Sequence, residues 1–421
     1  HTYSEKTLYS NIFLIPSGCN LIINRDLKIT LDRYWDIDLI KPKLKISEEE
    51  ATKEVKRLFE NSIDLHMRSD VPVGTTLSGG IDSSAITSVV AKRFPDYPLK
   101  SFSIYYTTEK NMDEREFINA VVSKYNNITS IQKEPSEQEI LNELDHFLAH
   151  QDFPLLGSSF LSHFFVMKMA KEKGMKVLLD GQGADEYFVG YLRSFYRIVG
   201  AQIASKKGIE IFKAHIDREG YDIKESLSRF GKCIISSVVD DQKMLEIEYL
   251  YSQDFISNNR KIPFQVKHQK GEKLNEFLYN LLFYSELPRL LHYTDLNSMY
   301  YSIESRVPFL DHRLVEFLFQ IPDHLKVKNG VTKYLLRESC KSYLPEKIYS
   351  RKDKKGFVTP GEIRWLRGPL KNGFEQKFEF PPEINLRNQK INQLKKEYLS
   401  GKNKNSKLSW RINFLNRWLY G

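Results

Sequence analysis

DVPVGTTLSGGIDSSAITSVVAKRF, residues Asp70 to Phe94, changes character at Ser78. The apolar run before Ser78 predicts a buried strand, and Ile81 to Phe94 carries apolar residues at helical spacing. Between them Ser78, Gly79 and Gly80 lack bulk, so their backbone N–H groups can approach an anion closely. The helix that follows points its positive end at the same spot. Ser83 and Ser84 add hydroxyl donors, and Asp82 supplies a carboxylate able to hold a metal bound to phosphates. The spacing matches neither GxxxxGK[ST] nor GxGxxG, so neither a Walker-type loop nor a dinucleotide fingerprint is indicated. A bare SGG is more often a turn that starts a helix. The full SGGIDSS between a strand and a helix reads as a phosphate cradle.

Working outward, LKSFSIYY, NITSIQK and MKVLLDG read as further strands, and DEREFINAVVSKY, EQEILNELDHFLAH and SFLSHFFVMKMAKEKG as helices. Strand and helix alternate, which predicts an α/β fold with a doubly wound parallel sheet. In such sheets ligands sit at the carboxyl ends of the strands. VLLDGQGADEYFVGY (Val177 to Tyr191) is the second strand end of interest, with Gly181, Gly183, Asp185 and Glu186 at a helix start. Acids there can simply cap the helix. Joined to the SGG loop they can do more: Asp82 and Asp185 can hold Mg²⁺ between them, with phosphates filling the remaining positions.

Two more blocks follow. Arg306-Val307-Pro308 is an extended step out of a helix, since Pro308 disfavours the helical region for Val307. Glu304, Arg306, Asp311 and Arg313 crowd opposite charges around it, which alone favours structural ion pairs over catalysis. Ser350 to Pro360, SRKDKKGFVTP, is a basic loop that alone reads as a solvated face. Residues 1 to 45 do not read as a complete domain: TLYSNIFLIPSG and LIINRDLKITLDRYWDI predict short strands around a Pro-Ser-Gly turn. Beyond about Phe188 the pattern is almost wholly helical, and Leu192 to Asn275 carries no recognisable chemistry.

At 421 residues, 41% hydrophobic and 28% charged, the chain has the composition of a globular protein. No run of 18 apolar residues appears, so no membrane association is expected. Three widely spaced cysteines, Cys19, Cys233 and Cys340, exclude a disulfide framework and predict a cytoplasmic setting. The net charge of +9 sits largely in Lys/Asn-rich stretches without aromatic interleaving, so nucleic acid is not the expected partner.

Together the four blocks resemble the synthetase domain of glutamine-hydrolysing asparagine synthetases, from roughly residue 46 to the end. SGGIDSS, DGQGADEYFVGY, SIESRVPFLD and KDKKGF stand in that family's order and at comparable distances. Residues 1–45, with NIFLIPSG and RYWDI, resemble the closing strands of its class II glutaminase domain. The resemblance implies an ATP-pyrophosphatase fold with a mostly helical C-terminal part, and ATP and Mg²⁺ as cofactors. Leu77 and Ile104 would touch adenosine, and Ser78, Gly79, Gly80, Ser83 and Ser84 would bind pyrophosphate. Asp82 and Asp185 would bind Mg²⁺, while Asp180 and Gly181 line the nucleotide. Lys354, counted back from Phe357, matches the catalytic lysine, with Lys352 and Lys355 as neighbours. The expected partners are a small carboxylate and ammonia; the ammonia-producing glutaminase is expected to lie outside this chain, and a homodimer is left open.

Three positions depart from the family pattern. Gln182 replaces a glutamate, and a neutral amide cannot act as a base, although it can position an acyl-adenylate by hydrogen bonds. Asp180 replaces a serine, and Leu296 replaces a basic residue. The resemblance therefore implies adenylation, with asparagine synthesis from aspartate and ammonia as the expected reaction and a non-aspartate carboxylate as the alternative. An RNA-modifying ATP pyrophosphatase would share the SGG loop without the GADE and ESRVPFLD blocks, and a silent binding subunit would not need Asp82, Asp185 and Lys354 intact.

Overall fold

The structure is a computed structural model that describes residues 7–39, 41–107, 112–202, 205–238, 273–351, 359–376, 378, 380–402 and 405–420. Its strands are β1 (Cys19–Ile23), β2 (Ile29–Arg33), β3 (Val73–Thr76), β4 (Leu99–Ile104), β5 (Ile128–Lys133), β6 (Val177–Leu179) and β7 (Glu304–Arg306). The last five form one sheet in the order β5-β4-β3-β6-β7, and every pairing is parallel. The doubly wound α/β expectation holds. From β3 the chain winds outward through β4 and β5, then returns to place β6 and β7 on the other side. That reversal puts a topological switch point between β3 and β6, where the loops leaving the two strands diverge.

The helices α1 (Glu48–His66), α2 (Ile81–Arg93), α3 (Arg115–Val122), α4 (Glu137–Ala149) and α5 (Ser159–Glu172) cover the sheet. Alternation along the strands divides the core: Val177 and Leu179 face one apolar cluster with α1 and α2, whereas Leu178 and Phe102 face another with α5 and residues 365–414. The central strands β3, β4 and β6 are buried almost throughout, with Thr75, Ser101 and Ser103 buried alongside their apolar residues. The α1 helix starts at a capping box, Ser47 with Glu50.

One reading of the sequence needs correction. The segment Thr7–Gly18 is not the strand expected of it: the hairpin forms inside the second stretch, with β1 and β2 antiparallel across a turn at Asn24–Leu27. The Asn24 side chain accepts from Lys28 N at 2.8 Å and so builds this turn from polar chemistry, not from Pro-Ser-Gly. The almost wholly helical expectation beyond Phe188 holds among the described residues, with one short strand, β7, set within it. Glu304–Arg306 is too short to show a period; the chain leaves the helix at Tyr300 through Ser302, at φ +55°, and then pairs with β6. Among the described residues no helix is long and apolar enough to cross a membrane.

Candidate active site

The SGG loop begins where β3 ends. Leu77, buried, continues the ladder by donating to Phe102 O at 2.9 Å, and Ser103 Oγ donates to Leu77 O at 2.5 Å. These bonds set the loop beside Ile104, the last residue of β4. Gly79 has φ +77°, and a Cβ there would lie 2.8 Å from the Phe117 Cβ, so only glycine fits. Ser83 Oγ accepts from Ser78 N at 3.1 Å and lies 3.1 Å from Ser78 Oγ, folding the loop back on the first turn of α2. Gly80 caps α2 without a side-chain bond. The Ser84 hydroxyl is fully buried and has no partner among the described residues. A loop rich in N–H groups, a helix N-terminus and an unused hydroxyl together make an anion cradle.

From the other side of the switch point, the loop after β6 brings Asp180, Gly181, Gln182 and Asp185. Gly181 packs on α2 itself: a Cβ there would sit 3.2 Å from Ser83 N and 3.3 Å from Asp82 Cβ. Asp82, in the first turn of α2, and Asp185, just after β6, both reach Lys333. Lys333 Nζ lies 2.6 Å from Asp82 Oδ1 and 2.6 Å from Asp185 Oδ1. Nothing in the sequence had marked Lys333, which arrives from 251 residues away and opens the helix Tyr334–Cys340. The fold spends unusual backbone on it: Lys333 is a non-glycine residue at φ +54°. Gly190 leaves room for the pair, since a Cβ there would fall 1.7 Å from Asp185 Oδ1 and 2.3 Å from Lys333 Cε.

The electrostatics follow from this triad. Burial alone lowers the Lys333 pKa, but the attraction of Asp185 and Asp82 outweighs it, and the ammonium stands above the ordinary lysine value. A positive charge is thus favoured between the two carboxylates, beside the SGG loop. The two carboxylates also present the hard oxygen donors that suit Mg²⁺. Among the described residues no group of three or more His, Cys, Asp or Glu side chains is arranged to hold a metal, so a metal here needs further oxygens from a bound phosphate or water.

Asp180 is engaged in a different way. Its Oδ1 accepts from Gln182 N at 3.1 Å, and its Oδ2 lies 3.3 Å from His163 Nε2. Asn297 Nδ2 lies 3.2 Å from His163 Nδ1, and Gln151 Nε2 donates to Asn297 Oδ1 at 3.3 Å. Because the amide nitrogen can only donate, His163 Nδ1 accepts and Nε2–H points at Asp180. The carboxylate at 180 is thus engaged by side chains of α5 and the helix Leu287–Tyr300, with Thr76 Oγ1 also 3.4 Å from its Oδ2. Arg306 serves structure, as the crowding of charge implied: it donates to His66 O at 2.6 Å and Arg68 O at 2.8 Å, and pairs with Glu304 at 2.7 Å. Asp311 likewise caps the next helix and pairs with Arg313 at 2.6 Å. Lys354, with Lys352 and Lys355, lies outside the described residues.

Comparison with known proteins agrees with this geometry. The family model "Asparagine synthase" matches residues 54–420. Asparagine synthetase [glutamine-hydrolyzing] 1 of Bacillus subtilis is 31% identical over 98% of this chain and 66% of its own length. Amidase chyE of Penicillium rubens is 23% identical over 88% of this chain and 62% of its own length. Asparagine synthetase [glutamine-hydrolyzing] 3 of Bacillus subtilis is 27% identical over 80% and 53% respectively. The chain thus spans between 53% and 66% of the length of these relatives. With this family model matching residues 54–420, the chain belongs to the asparagine synthase family.

Proposed function

We propose that this chain is an ATP-dependent carbon–nitrogen ligase that converts a carboxylate into an acyl-adenylate and then into an amide, releasing AMP and pyrophosphate. The convergence of Asp82 and Asp185 on one buried cationic centre beside the SGG loop carries this reading. A carboxylate resists amines until one of its oxygens becomes a good leaving group, and adenylation supplies that. Leu77 and Ile104 would contact adenosine; Ser78, Gly79, Gly80, Ser83 and Ser84 would hold the phosphates; Asp180 and Gly181 would shape the nucleotide's edge. Asp82 and Asp185 would hold Mg²⁺, which when bound draws negative charge off the leaving pyrophosphate. Lys333 keeps a positive charge next to that group, and Lys354 would neutralise charge growing on the α-phosphate as the substrate carboxylate attacks. Ammonia then displaces AMP.

Aspartate is the first acyl substrate to test, in keeping with the name of the Bacillus subtilis relative. Neutral Gln182 and Leu296, in positions where the resemblance leads one to expect charge, favour a second reading with a different carboxylate. Residues 1–45 would be the closing strands of a glutaminase domain and 46–421 the synthetase unit. The experiment is carboxylate-dependent release of pyrophosphate from Mg·ATP by the parent chain and by Asp82→Ala. We expect a loss of at least about a hundredfold in the variant, the scale of removing an electrostatic group from a preorganised site. Full turnover by Asp82→Ala would remove the metal role.

A further inference from the structure

The phosphate loop is held from behind by a residue that the proposed reaction does not use. Arg351 is nearly fully buried and forks onto Glu114, with Nη1 2.7 Å from Oε2 and Nη2 2.8 Å from Oε1. The same Nη1 donates to the carbonyl of Gly79 at 2.9 Å, and the guanidinium lies 3.7 Å from the centre of the Phe117 ring. Glu114 and Phe117 belong to the start of α3, so one side chain joins α3 to the bend of the SGG loop.

This contact fixes a peptide plane. Among the described residues every peptide bond is trans, so the Gly79 carbonyl and the Gly80 N–H point in opposite directions. With the carbonyl committed to Arg351, the Gly80 N–H is turned into the loop, toward the Ser78 hydroxyl at a long 3.4 Å. Glycine stands on both sides of this peptide, so its own conformational preferences do not prevent a flip. Flipped, it would present a carbonyl oxygen to the anion in place of a donor. Arg351 is in turn anchored by its own backbone: Arg218 Nη2 donates to Arg351 O at 3.1 Å, and Arg337 Nη1 donates to Tyr349 O at 2.6 Å. Arg337 lies on the helix that Lys333 opens, so the stem bearing Arg351 is braced against the element that carries the site's buried cation.

We propose that Arg351 is a positioning residue that locks the Gly79–Gly80 peptide with its N–H toward the phosphates, so that the cradle is complete before nucleotide arrives. The inference rests on the adenylation reading for the identity of the anion, inorganic pyrophosphate being the probe. Arg351→Lys keeps the charge opposite Glu114 but gives up the planar fork that serves Glu114 and Gly79 together. Because a buried unpaired carboxylate would unfold the region in a simple truncation, the paired neutral variant Glu114→Gln with Arg351→Gln is the second arm. Equilibrium binding of Mg·pyrophosphate and of adenosine is measured for the parent and both variants. We expect pyrophosphate to bind at least about tenfold more weakly in both variants, the scale of one lost charge-assisted hydrogen bond, with adenosine changed less than about twofold. Unchanged pyrophosphate affinity, or equal weakening of both ligands, overturns the inference. Failure of the parent chain to bind pyrophosphate at all overturns the adenylation reading and this inference with it.

Discussion

Lys333 shows what a single side chain does to its neighbours. Two carboxylates with no cation between them would repel, and one would have to take up a proton. Lys333 removes that conflict and is itself held charged by it. Lys333→Met should therefore destabilise the chain by about 3–5 kcal/mol, the usual cost of leaving one side of a buried pair uncompensated. Millimolar Mg²⁺ should raise the melting temperature of this variant by more than it raises that of the parent, because only in the variant do Asp82 and Asp185 lack a counter-charge. A variant indifferent to Mg²⁺ whose stability instead rises on acidification would show that the two carboxylates share a proton and not a metal. Lys333 was invisible in the sequence for a physical reason: its partners lie far away in the chain, and a lysine before a helix is ordinary at surfaces. Asp82 and Asp185 were legible because small residues and a strand–turn–helix frame surround them. Gln182 was also legible, but it enters the structure through its backbone N–H on Asp180.

At the scale of elements, the helix Leu287–Tyr300 is fixed at its start by Glu286, which meets Arg193 at 2.7 Å and Arg289 at 2.5 Å. Burial raises the Glu286 pKa, and the two guanidinium groups outweigh it, leaving the carboxyl below its ordinary value of 4.5. A depressed carboxylate contributes stability above its unfolded pKa and loses it as pH falls through the folded one. Glu286→Gln should thus cost about 1–3 kcal/mol near neutrality, and the gap to the parent should narrow as pH falls below 4.5. A gap that stays constant from neutral to acid pH in thermal or denaturant unfolding would contradict the assignment. The strands around the phosphate loop were readable because short β-prone stretches bounded by turn residues alternate with longer helical patterns. β7 was not, since a three-residue strand has no period and exists only because β6 offers it an edge. The β1–β2 hairpin hid for the opposite reason: its apolar residues, Ile22, Ile23 and Ile29 among them, are exposed, so the usual link between apolar alternation and burial fails there.

In the whole molecule, winding order does the assembling. Strands β3 and β6 are neighbours in space although β4 and β5 intervene in sequence, and the switch point between them is where the separated motifs meet. The helix behind Lys333 and the stem bearing Arg351 close this point from outside the sheet. Their distance along the chain is why pattern reading reached the loops and missed the braces. If this convergence transfers an adenylyl group to a carboxylate, isotope transfer will show it. The chain is supplied with Mg·ATP, ammonia and a panel of carboxylic acids, aspartate included, each labelled with oxygen-18 in the carboxyl group. We expect one acid to yield an amide together with AMP that has gained a single labelled oxygen. Amide formed without label in AMP, or ATP cleaved to ADP and phosphate, would contradict the account.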